Sequence, residues 1–568
     1  MEISNQQLAG MLRSVAVAYT LNKTGNIFQI RAYENAADSI EHSTTEIFDL
    51  WQEGNLNHIP GLGESLKAHL DEFFKTGKVK HWDDVKKGIP EVVFELLDIP
   101  GIGAKTALSL AKLGVKSKDD LSAMIENGVL VSAGFSEKLS KKISDVLKWK
   151  KLDIFAGRMS LPYADAQAEK VLEYLKKCPD IENANVLGSL RRMVATVGDL
   201  DFAVASRNPQ KAVDYFCKMP GTSKIINHGE NKATVLLNSG LQLDLLVESP
   251  GNYGTLLQHF TGSKNHNIHL NEFAKKNKIN ITGCRSEEEL YKKLGMQTPP
   301  PEIREDLGEI EAALKNSLPD LVELKDIKGD LHTHSDFISK PSHDMGVNSI
   351  EEIVAQAHKM GYQYIGITDH QPSQSGHTAA QVASEILKKK KIIEQINSSQ
   401  KSVRVLNLLE VDILPDGSLG LPDEVLELLD FAVASIHSSF HLSKEAMTNR
   451  ILKALSSPYV KVLGHPTGRL IGKRDSYEVD WEKVFKFAGE NKKVLEINSF
   501  PNRLDLRDDL VRQALSFGVK FSINTDAHEK SSMQNMKYGV SVARRGWATK
   551  EDIVNTWDWT TFAKWFNI

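Results

Sequence analysis

The sequence has few cysteines, no long apolar run and no excess of basic residues. Its three cysteines are far apart among 568 residues, so they form neither a disulfide framework nor a zinc knuckle and fit a reducing compartment. No segment approaches the roughly 18 apolar residues of a membrane-spanning helix, and the opening MEISNQQLAG lacks the basic-then-apolar pattern of a signal peptide. We therefore expect a cytoplasmic protein without a membrane partner.

What the sequence does contain indicates several globular domains. The chain is too long for one hydrophobic core, and 41% hydrophobic and 25% charged residues are typical of a globular protein. A net charge of -4 does not indicate a nucleic-acid binder, so any basic surface must be local. Residues 101–150 provide one, with nine lysines against five acids. Nothing in the sequence indicates oligomerisation, and we expect a monomer.

A short glycine-containing pattern occurs twice near the start of the chain. HIPGLGESL (58–66) has Gly61 and Gly63 before a predicted helix, and DIPGIGAKTAL (98–108) has Gly101 and Gly103. Glycines let a ligand approach the turn closely, and the following helix N-terminus presents free N–H groups to a phosphate. Two copies, the second beside Lys105, favour helix-hairpin-helix binding of the DNA backbone over a simple helix connection.

Three acids and a Gly-Ser turn form a second constellation. GSLRRMVATVGDLDFAV (188–204) places Asp199 and Asp201 two residues apart in a predicted strand, so both carboxylates share a face and require a cation between them. A third acid, Asp244, lies in LQLDLLV. Three carboxylates can hold two divalent ions for phosphoryl transfer, while Ser189 and Arg192 hold a polyphosphate. An amphipathic strand with solvated acids would explain neither the Gly-Ser turn nor Asp244.

These motifs resemble the family X DNA polymerases, the polymerase beta-like nucleotidyltransferases, over residues 1 to about 318. YENAAD (33–38) and HFTGSKNHN (259–267) add to the likeness. The resemblance implies that Asp199 and Asp201 ligate both metals, Mg²⁺ or Mn²⁺, and that Asp244 ligates the metal that activates the primer 3′-hydroxyl. It implies dNTPs and gapped or primer-template DNA as substrates. The implied nucleotide-binding residues are Gly188, Ser189, Arg192 and Gly198 at the triphosphate, His259, Phe260 and Gly262 at the sugar, and Asn267 at the base edge.

The chain departs from that family at several positions. His259 stands where polymerase beta has tyrosine, and Leu246 and Asn271 replace arginines common in relatives, so the resemblance does not predict sugar discrimination or fidelity. His69 occupies the position of the lyase lysine, with Lys67 two residues away. Because imidazole does not form a Schiff base, we expect weak or absent deoxyribose-phosphate lyase activity. A borohydride-trapped adduct that disappears on changing Lys67 would contradict this expectation.

In the second half, apolar strand-like runs alternate with amphipathic helical ones, and nearly every run ends in a potential metal ligand. Polar residues at the C-terminal ends of seven βα units predict a TIM-like barrel with one site at its top face. One such histidine is more often structural, but this many imidazole and carboxylate groups exceed what packing needs. They favour zinc, manganese or iron over magnesium, and clustered ions favour phosphoester hydrolysis. The strand ends carry His332, His334, His370, Glu410, His437, His465, Asn498, Asp526 and His528.

This half resembles the PHP (polymerase and histidinol phosphatase) family over essentially its whole length. In HSDFISKPSHDMG we assign the family's aspartate after the first histidine pair to Asp344, with Asp336 as the rival. Arg469, in GHPTGR, is as readily a phosphate contact as a surface charge. The resemblance implies two or three Zn²⁺, Mn²⁺ or Fe²⁺ ions held by His332, His334, Asp344, His370, Glu410, His437, His465, Asp526 and His528.

The expected fold is multidomain, with an α-helical helix-hairpin-helix region, an α+β nucleotidyltransferase palm and thumb, and a distorted (βα)7 TIM-like PHP barrel. The expected divisions are a helical domain with the first hairpin motif (1–85), a helical DNA-binding domain with the second (86–152), the palm (153–250), a nucleotide-binding polymerase subdomain (251–318), a linker (319–328) and the PHP domain (329–568).

A family X palm followed by a PHP barrel resembles the bacterial and archaeal family X polymerases. It implies a gap-filling polymerase of DNA base excision repair with a PHP-domain 3′-5′ exonuclease, and with AP endonuclease or 3′-phosphatase activity as further options. Three alternatives stay open: a phosphoesterase whose degenerate polymerase module positions DNA, a non-catalytic DNA-end scaffold, and a small-molecule phosphatase of the histidinol-phosphate type.

Overall fold

A computed structural model describes the chain except residues 1, 2, 4, 23, 42–46, 57–61, 98–101, 128, 134, 136–157, 339 and 374–376. The described chain forms two compact units, each assembled from separate segments. The first unit comprises Met1–Pro179, Gly198–Leu200 and Gln210–Leu246. The second comprises Asp180–Val197, Asp201–Pro209 and Val247–Ile568.

The first unit begins with short helices that bury two separate apolar clusters. One cluster is centred on Leu12, Leu70 and Trp82, and the other on Leu96 and Leu110. Each cluster is the small core expected of a compact helical domain, which confirms the helical N-terminal region. The helices are α1 (Asn5–Asn22), α2 (Ile27–Glu41), α3 (Ile47–Gln52), α4 (Glu64–Thr76), α5 (Lys80–Lys86), α6 (Glu91–Leu96), α7 (Ala104–Lys112), α8 (Lys118–Glu126) and α9 (Val129–Ser132).

Antiparallel strands and three helices follow. β6 pairs with β5 and with β7 in the first unit, while β2 pairs with β4 in the second. Burial alternates along β7, as expected of a strand with one face on a core. The elements are β1 (Met159–Ser160), α10 (Leu161–Leu175), β2 (Asn183–Val186), α11 (Gly188–Arg191), β3 (Thr196–Val197), β4 (Leu200–Ala205), α12 (Pro209–Phe216), β5 (Thr222–His228), β6 (Lys232–Leu237) and β7 (Gln242–Glu248).

Four helices of the second unit precede the barrel: α13 (Tyr253–Thr261), α14 (Lys264–Lys276), α15 (Glu287–Lys293) and α16 (Glu309–Leu314). Their core includes Leu270 and Tyr291. Residues 319–328, expected to be a linker, are packed in part, since Leu321 joins a cluster with Ile303 and Trp547. The N–H of Val322 donates to the carbonyl of Ala548 at 3.1 Å.

Seven parallel strands form the barrel, in the order β14-β13-β12-β11-β10-β9-β8. Most are buried on both faces, which explains their nearly continuous apolar runs. A bridge between Thr333 and Ala527 links the two edges of the sheet. The strands are β8 (Gly329–Thr333), β9 (Tyr364–His370), β10 (Arg404–Asp412), β11 (Phe431–Ser435), β12 (Val460–Leu463), β13 (Val494–Asn498) and β14 (Lys520–Asn524).

The helices alternate with these strands, and the last one closes the end opposite the ligands. In α24 (Trp559–Phe566), Phe562 and Phe566 stack on Tyr364 and Phe431, with ring centroids 4.3 and 4.8 Å apart. The expected TIM-like (βα)7 barrel is confirmed. Among the described residues no helix combines the length and apolarity needed to cross a bilayer. The other barrel helices are α17 (Ile350–Lys359), α18 (Ala379–Ser399), α19 (Asp423–Leu426), α20 (Lys444–Leu455), α21 (Trp481–Glu490), α22 (Asp508–Leu515) and α23 (Met536–Arg545).

Candidate active sites

The three acids of the polymerase-like region occupy different local environments. Asp199 is exposed and precedes β4, which begins at Leu200, so the prediction that one strand carries both Asp199 and Asp201 is wrong. Gly198 is in a bend, and Asp199 follows it directly before that strand. Asp244, in β7, accepts a hydrogen bond from Thr234 Oγ1 at 2.6 Å. Asp199 and Asp244 belong to the first unit and Asp201 to the second, so their convergence stays a prediction.

The second unit brings Asp201 close to the Gly-Ser turn. Gly188 has a φ of 57°, and a Cβ built on it would lie 3.4 Å from Asp201 Oδ2. The N–H of Leu187 donates to the carbonyl of Asp201 at 2.9 Å. Ser189 follows in the first turn of α11, half-buried. A side chain at position 188 would be strained and would approach this acid, which explains glycine there.

Four predicted nucleotide-binding residues meet at the junction of α13 and α14. Asn267 Nδ2 donates to the carbonyl of His259 at 2.6 Å, and a Cβ on Gly262 would lie 2.6 Å from Asn267 Oδ1. His259 and Phe260 are exposed, with ring centroids 4.9 Å apart. Asn271 lies on an exposed face of α14. The rings of His259 and Phe260 are therefore exposed to solvent, while the Asn267 side chain is hydrogen-bonded to the backbone of His259.

Arg192, predicted to bind the triphosphate, already has protein partners. Its Nε donates to Glu305 Oε1 at 2.9 Å, and its Nη1 donates to the carbonyl of Thr261 at 2.9 Å. Glu305 also pairs with Arg545 at 3.0 Å. A nucleotide phosphate at Arg192 would therefore compete with Glu305 for the guanidinium.

Of the hairpin glycines, Gly61 and Gly101 lie outside the described residues. Gly63 and Gly103 are the extended residues immediately before α4 and α7, as the motif requires, and Lys105 is exposed in the first turn of α7. Among the described residues no side chain caps either helix start, and uncapped N–H groups at a helix N-terminus suit a phosphate.

His69, at the position of the family's lyase lysine, belongs to an aromatic cluster. Its Nδ1 lies 3.0 Å from Tyr33 Oη, and its ring stacks on His81 at 4.9 Å. Burial, and then the neighbouring His81, lower the pKa of His69. Lys67 pairs with Glu64 at 2.8 Å. A neutral imidazole cannot take the role of the amine that forms a Schiff base.

The barrel brings the predicted PHP ligands together around Glu410. Its Oε1 lies 2.9 Å from His465 Nε2 and 3.2 Å from His437 Nε2, and its Oε2 lies 2.9 Å from His370 Nδ1 and 3.3 Å from His332 Nε2. These residues end successive parallel strands, whose C-terminal ends meet at one face of the barrel. Three ligand groups each converge within 4.8 Å: His332, His334, Glu410 and Asp526; His334, His370 and His528; and His370, Glu410 and His437.

Asp344 lies beside this cluster although it belongs to a loop. Its carboxylate oxygens lie 3.3 Å from His370 Nε2 and 3.4 Å from His528 Nε2. Asp336 is exposed, and its N–H donates to the carbonyl of Asn348 at 3.0 Å. The geometry favours Asp344 over Asp336 as a ligand.

Several buried atoms of the predicted ligands make no hydrogen bond of regular geometry among the described residues. Such atoms are costly unless something else satisfies them, and lone pairs from imidazole and carboxylate fit divalent metal ions. Two ligands also have strained backbones, since His465 and Asp526 adopt φ of 27° and 53°. Within the described chain, the ligand atoms that make no hydrogen bond of regular geometry are His332 Nε2, His334 Nδ1, His370 Nδ1, Glu410 Oε2, His465 Nδ1 and His528 Nε2. Glu410 Oε2 nevertheless lies within ion-pair distance of His370 Nδ1 and His332 Nε2.

The histidines respond in opposite directions to this environment. Burial, and then the nearby His528, lower the pKa of His334 to about 3. Burial opposes the charged form of His370 as well, but Glu410 and Asp344 outweigh it and raise its pKa to about 10. The buried carboxylates thus require a compensating positive charge. Protons on some histidines supply that charge, and bound metal ions would replace those protons.

Two carboxylates that the sequence reasoning missed hold these ligands in place. Glu496 Oε1 lies 2.7 Å from His332 Nδ1, and its Oε2 accepts the N–H of His465 at 2.6 Å. Asp412 Oδ1 lies 2.7 Å from His437 Nδ1 and 3.0 Å from His343 Nε2. Such partners fix the ring orientation of a metal-bound histidine. VLEIN contains Glu496 two residues before Asn498, on the same strand face, and this spacing could have indicated it.

Comparisons with known proteins agree with this arrangement. A family model described as a helix-hairpin-helix domain matches residues 3–79, and a SAM-like helix-hairpin-helix tandem matches 93–148. A DNA polymerase beta thumb matches residues 256–305, and a PHP domain matches 330–500. The chain is 34% identical to the DNA polymerase/3′-5′ exonuclease PolX of Bacillus subtilis (strain 168) over 563 residues, 96% of each chain. It belongs to the PolX family.

Shorter relatives match part of this chain. A probable phosphatase of Thermoanaerobacter sp. (strain X514) is 30% identical over 237 residues, 40% of this chain and 89% of that relative. A probable phosphatase of Caldicellulosiruptor bescii is 30% identical over 194 residues, 33% of this chain and 75% of that relative. These likenesses cover 40% and 33% of this chain, whereas the PolX likeness covers 96%.

Proposed function

We propose that this chain is a DNA repair polymerase with a metal-dependent 3′-5′ exonuclease or related phosphoesterase activity in its barrel. The observation that carries the proposal is the similarity to PolX along nearly the whole chain. It is joined by the cluster of buried atoms of the proposed ligands that make no hydrogen bond among the described residues. Gapped or primer-template DNA and dNTPs are the proposed substrates. The proposed divisions lie at residues 85, 152, 250, 318 and 328.

At the polymerase site we propose that Asp199, Asp201 and Asp244 hold Mg²⁺ or Mn²⁺, which these all-oxygen ligands suit. Bound divalent ions lower the pKa of an attacking hydroxyl and neutralise a leaving group. Ser189, Arg192 and the turns at Gly188 and Gly198 are the proposed triphosphate contacts. The exposed His259–Phe260 pair and Gly262 are the proposed sugar contacts, and Asn267 is the proposed contact to the base edge.

At the barrel site we propose two or three Mn²⁺, Zn²⁺ or Fe²⁺ ions, because mixed imidazole and carboxylate ligands suit these metals. Glu410 is central, since four histidines lie within 3.3 Å of its two oxygens. Glu496 contacts Nδ1 of His332, and Asp412 contacts Nδ1 of His437. We propose that these contacts orient the two rings. The proposed ligands are His332, His334, Asp344, His370, Glu410, His437, His465, Asp526 and His528.

The test measures primer extension and 3′-end degradation on a duplex with a one-nucleotide gap. We expect Asp199→Ala to abolish extension and spare degradation, and His437→Ala or Asp526→Ala to do the reverse. Glu230→Ala and His358→Ala, at exposed positions away from either site, serve as matched controls. Extension that survives Asp199→Ala would refute the polymerase assignment. Degradation that survives both barrel changes would refute the barrel assignment.

A further inference from the structure

Arg469 follows the ligand His465 in the sequence, but its guanidinium is committed to the backbone. Its Nε donates to the carbonyl of Arg503 at 2.6 Å, and its Nη2 donates to the carbonyl of Leu504. Burial lowers the pKa of Arg469. Its contacts hold the loop between β13 and α22, which leaves little of it to bind a substrate.

That loop presents another arginine to the metal-ligand cluster. Arg503 Nε lies 3.4 Å from Asp526 Oδ2, and the Arg503 side chain is 16% exposed. Arg503 is close enough to His465 to help burial lower the pKa of that histidine to about 4. The guanidinium thus lies beside the predicted ligands Asp526 and His465.

One nitrogen of this guanidinium makes no hydrogen bond in the part of the chain that the structure describes. Arg503 Nη1 is buried and has no hydrogen-bond partner among the described residues. A buried donor on a charged group is expensive to leave unpaired. The predicted ligands also have buried atoms without a hydrogen bond, on imidazoles and a carboxylate that are proposed to hold metal ions, so a cationic donor beside them needs an acceptor that tolerates both. A phosphate oxygen can contact a metal ion and a guanidinium together.

The loop backbone is held firmly enough to place this arginine. The Asp505 carboxylate accepts the N–H of Thr467 at 3.1 and 3.0 Å, and the N–H of Arg503 donates to the carbonyl of Phe500 at 2.8 Å. The N–H of Leu506 donates to the carbonyl of Glu496 at 3.0 Å, which ties the loop to β13. A pre-positioned guanidinium loses little conformational freedom when a ligand binds.

We propose that Arg503 binds a non-bridging oxygen of the phosphate group held at the barrel site. The inference rests on the proposed phosphoesterase function and adds a substrate contact to it. The phosphate is either the scissile phosphodiester of a DNA 3′ end or a free or terminal phosphate. Both have the tetrahedral oxygen anion that this donor requires.

The first measurement is orthophosphate binding to Mn²⁺-loaded full-length protein by calorimetry, with metal content determined in parallel. We expect Arg503→Gln to weaken binding by at least about tenfold and Arg503→Lys to weaken it less, with unchanged metal content. Arg507→Gln is the matched control, because Arg507 lies four residues away and pairs with Asp509 at 2.5 Å. We expect that control to bind orthophosphate as the wild type does.

The second measurement uses single-stranded DNA whose 3′-terminal linkage is a phosphodiester or either methylphosphonate diastereomer. If the DNA backbone is the ligand, wild type discriminates between the diastereomers and Arg503→Gln loses that discrimination. An effect on orthophosphate alone assigns the arginine to a free or terminal phosphate.

Orthophosphate binding within twofold of wild type in Arg503→Gln would overturn the proposal. Loss of metal from that variant would overturn it as well, since Arg503 would then serve only to position Asp526. A wild-type protein that degrades no DNA would instead refute the proposed function, while orthophosphate binding would still report on Arg503.

Discussion

At the scale of single residues, Glu496 connects two histidines that line the barrel site. It is fully buried in β13, accepts the backbone N–H of His465, and lies 2.7 Å from His332 Nδ1. Asn524 Nδ2 also donates to it at 2.9 Å. With Nδ1 engaged, Nε2 of His332 is the atom left for a metal.

We expect Glu496→Gln to weaken metal binding by about 10- to 100-fold. The glutamine keeps the shape but removes the charge and turns an N–H toward either His332 or His465. Competition with a chelating dye measures the affinity. Glu490→Gln, at the exposed end of α21, is the control. An affinity within twofold of wild type would show that Glu496 does not govern these ligands.

The buried carboxyl group of Asp330, in β8, makes the stability of the folded protein depend on pH. Burial raises the pKa of Asp330 to about 7, although Thr525 and the N–H of His332 donate to its carboxylate. The unfolded chain takes up this proton near pH 4 and the folded chain near pH 7. Ionised Asp330 therefore costs stability above pH 7, and the cost declines as the pH falls.

We expect the stability of the metal-free wild type, relative to Asp330→Asn, to rise by about 3 kcal/mol between pH 8 and pH 5. Urea unfolding at each pH measures the difference. A difference independent of pH would mean that Asp330 is ionised in the folded protein throughout this range.

At the scale of elements, α18 is attached to the barrel wall by a buried lysine. Lys389 Nζ donates to the carbonyls of Ile367 and Leu408, both at 2.9 Å, and pairs with Asp369 at 2.8 Å. Asp369 in turn accepts the N–H of Ser335 at 2.6 Å. One side chain thus joins a helix, two neighbouring strands and the loop beside His334.

We expect Lys389→Met to lower the free energy of unfolding by about 3–5 kcal/mol, because it leaves the buried Asp369 charge unpaired. The double variant Lys389→Met/Asp369→Asn should recover part of that loss. Lys388→Met, one residue away and exposed, should change stability by less than about 0.5 kcal/mol. Urea unfolding followed by circular dichroism tests the series, and equal stabilities for the two lysine variants would contradict it.

At the scale of the second unit, Arg545 links the polymerase-like helices to the barrel. It projects from α23, pairs with Asp508 at 2.7 Å and Glu305 at 3.0 Å, and donates to the carbonyl of Arg192 at 2.9 Å. Glu305 is also the partner of Arg192 Nε. A partly buried ionic network therefore connects a proposed nucleotide contact with the barrel.

We expect Arg545→Met to lower the free energy of unfolding by about 3 kcal/mol, because two partly buried carboxylates lose their common partner. Lys530→Met, which breaks an exposed pair with Glu352, should cost no more than about 1 kcal/mol. Differential scanning calorimetry of both variants measures the effect. Equal effects of the two changes would contradict a structural role for the network.

Most of the proposed metal ligands have a local signal in the sequence. Each of these follows an apolar run at a strand end, and parallel strands bring such ends together whatever the details of packing. Asp344 lies in a loop, lacks that signal and is predicted from the family resemblance instead, while Arg503, in a loop, and Glu496, inside a strand, have neither. Glu496 and His332 are 164 positions apart, so no short motif contains both.

The sequence by itself determined the fold class, the family resemblance and the residue types at both sites. Periodicity and short motifs depend only on residues that are close together in the sequence, so they can be identified without a structure. Only the tertiary structure decided which side chains are free to act. Within the described residues, it commits Arg469 to backbone carbonyls, leaves Arg503 Nη1 without a hydrogen bond and pairs Arg192 with Glu305. These outcomes depend on burial and on contacts between distant segments, because identical arginines become structural or functional according to what surrounds them.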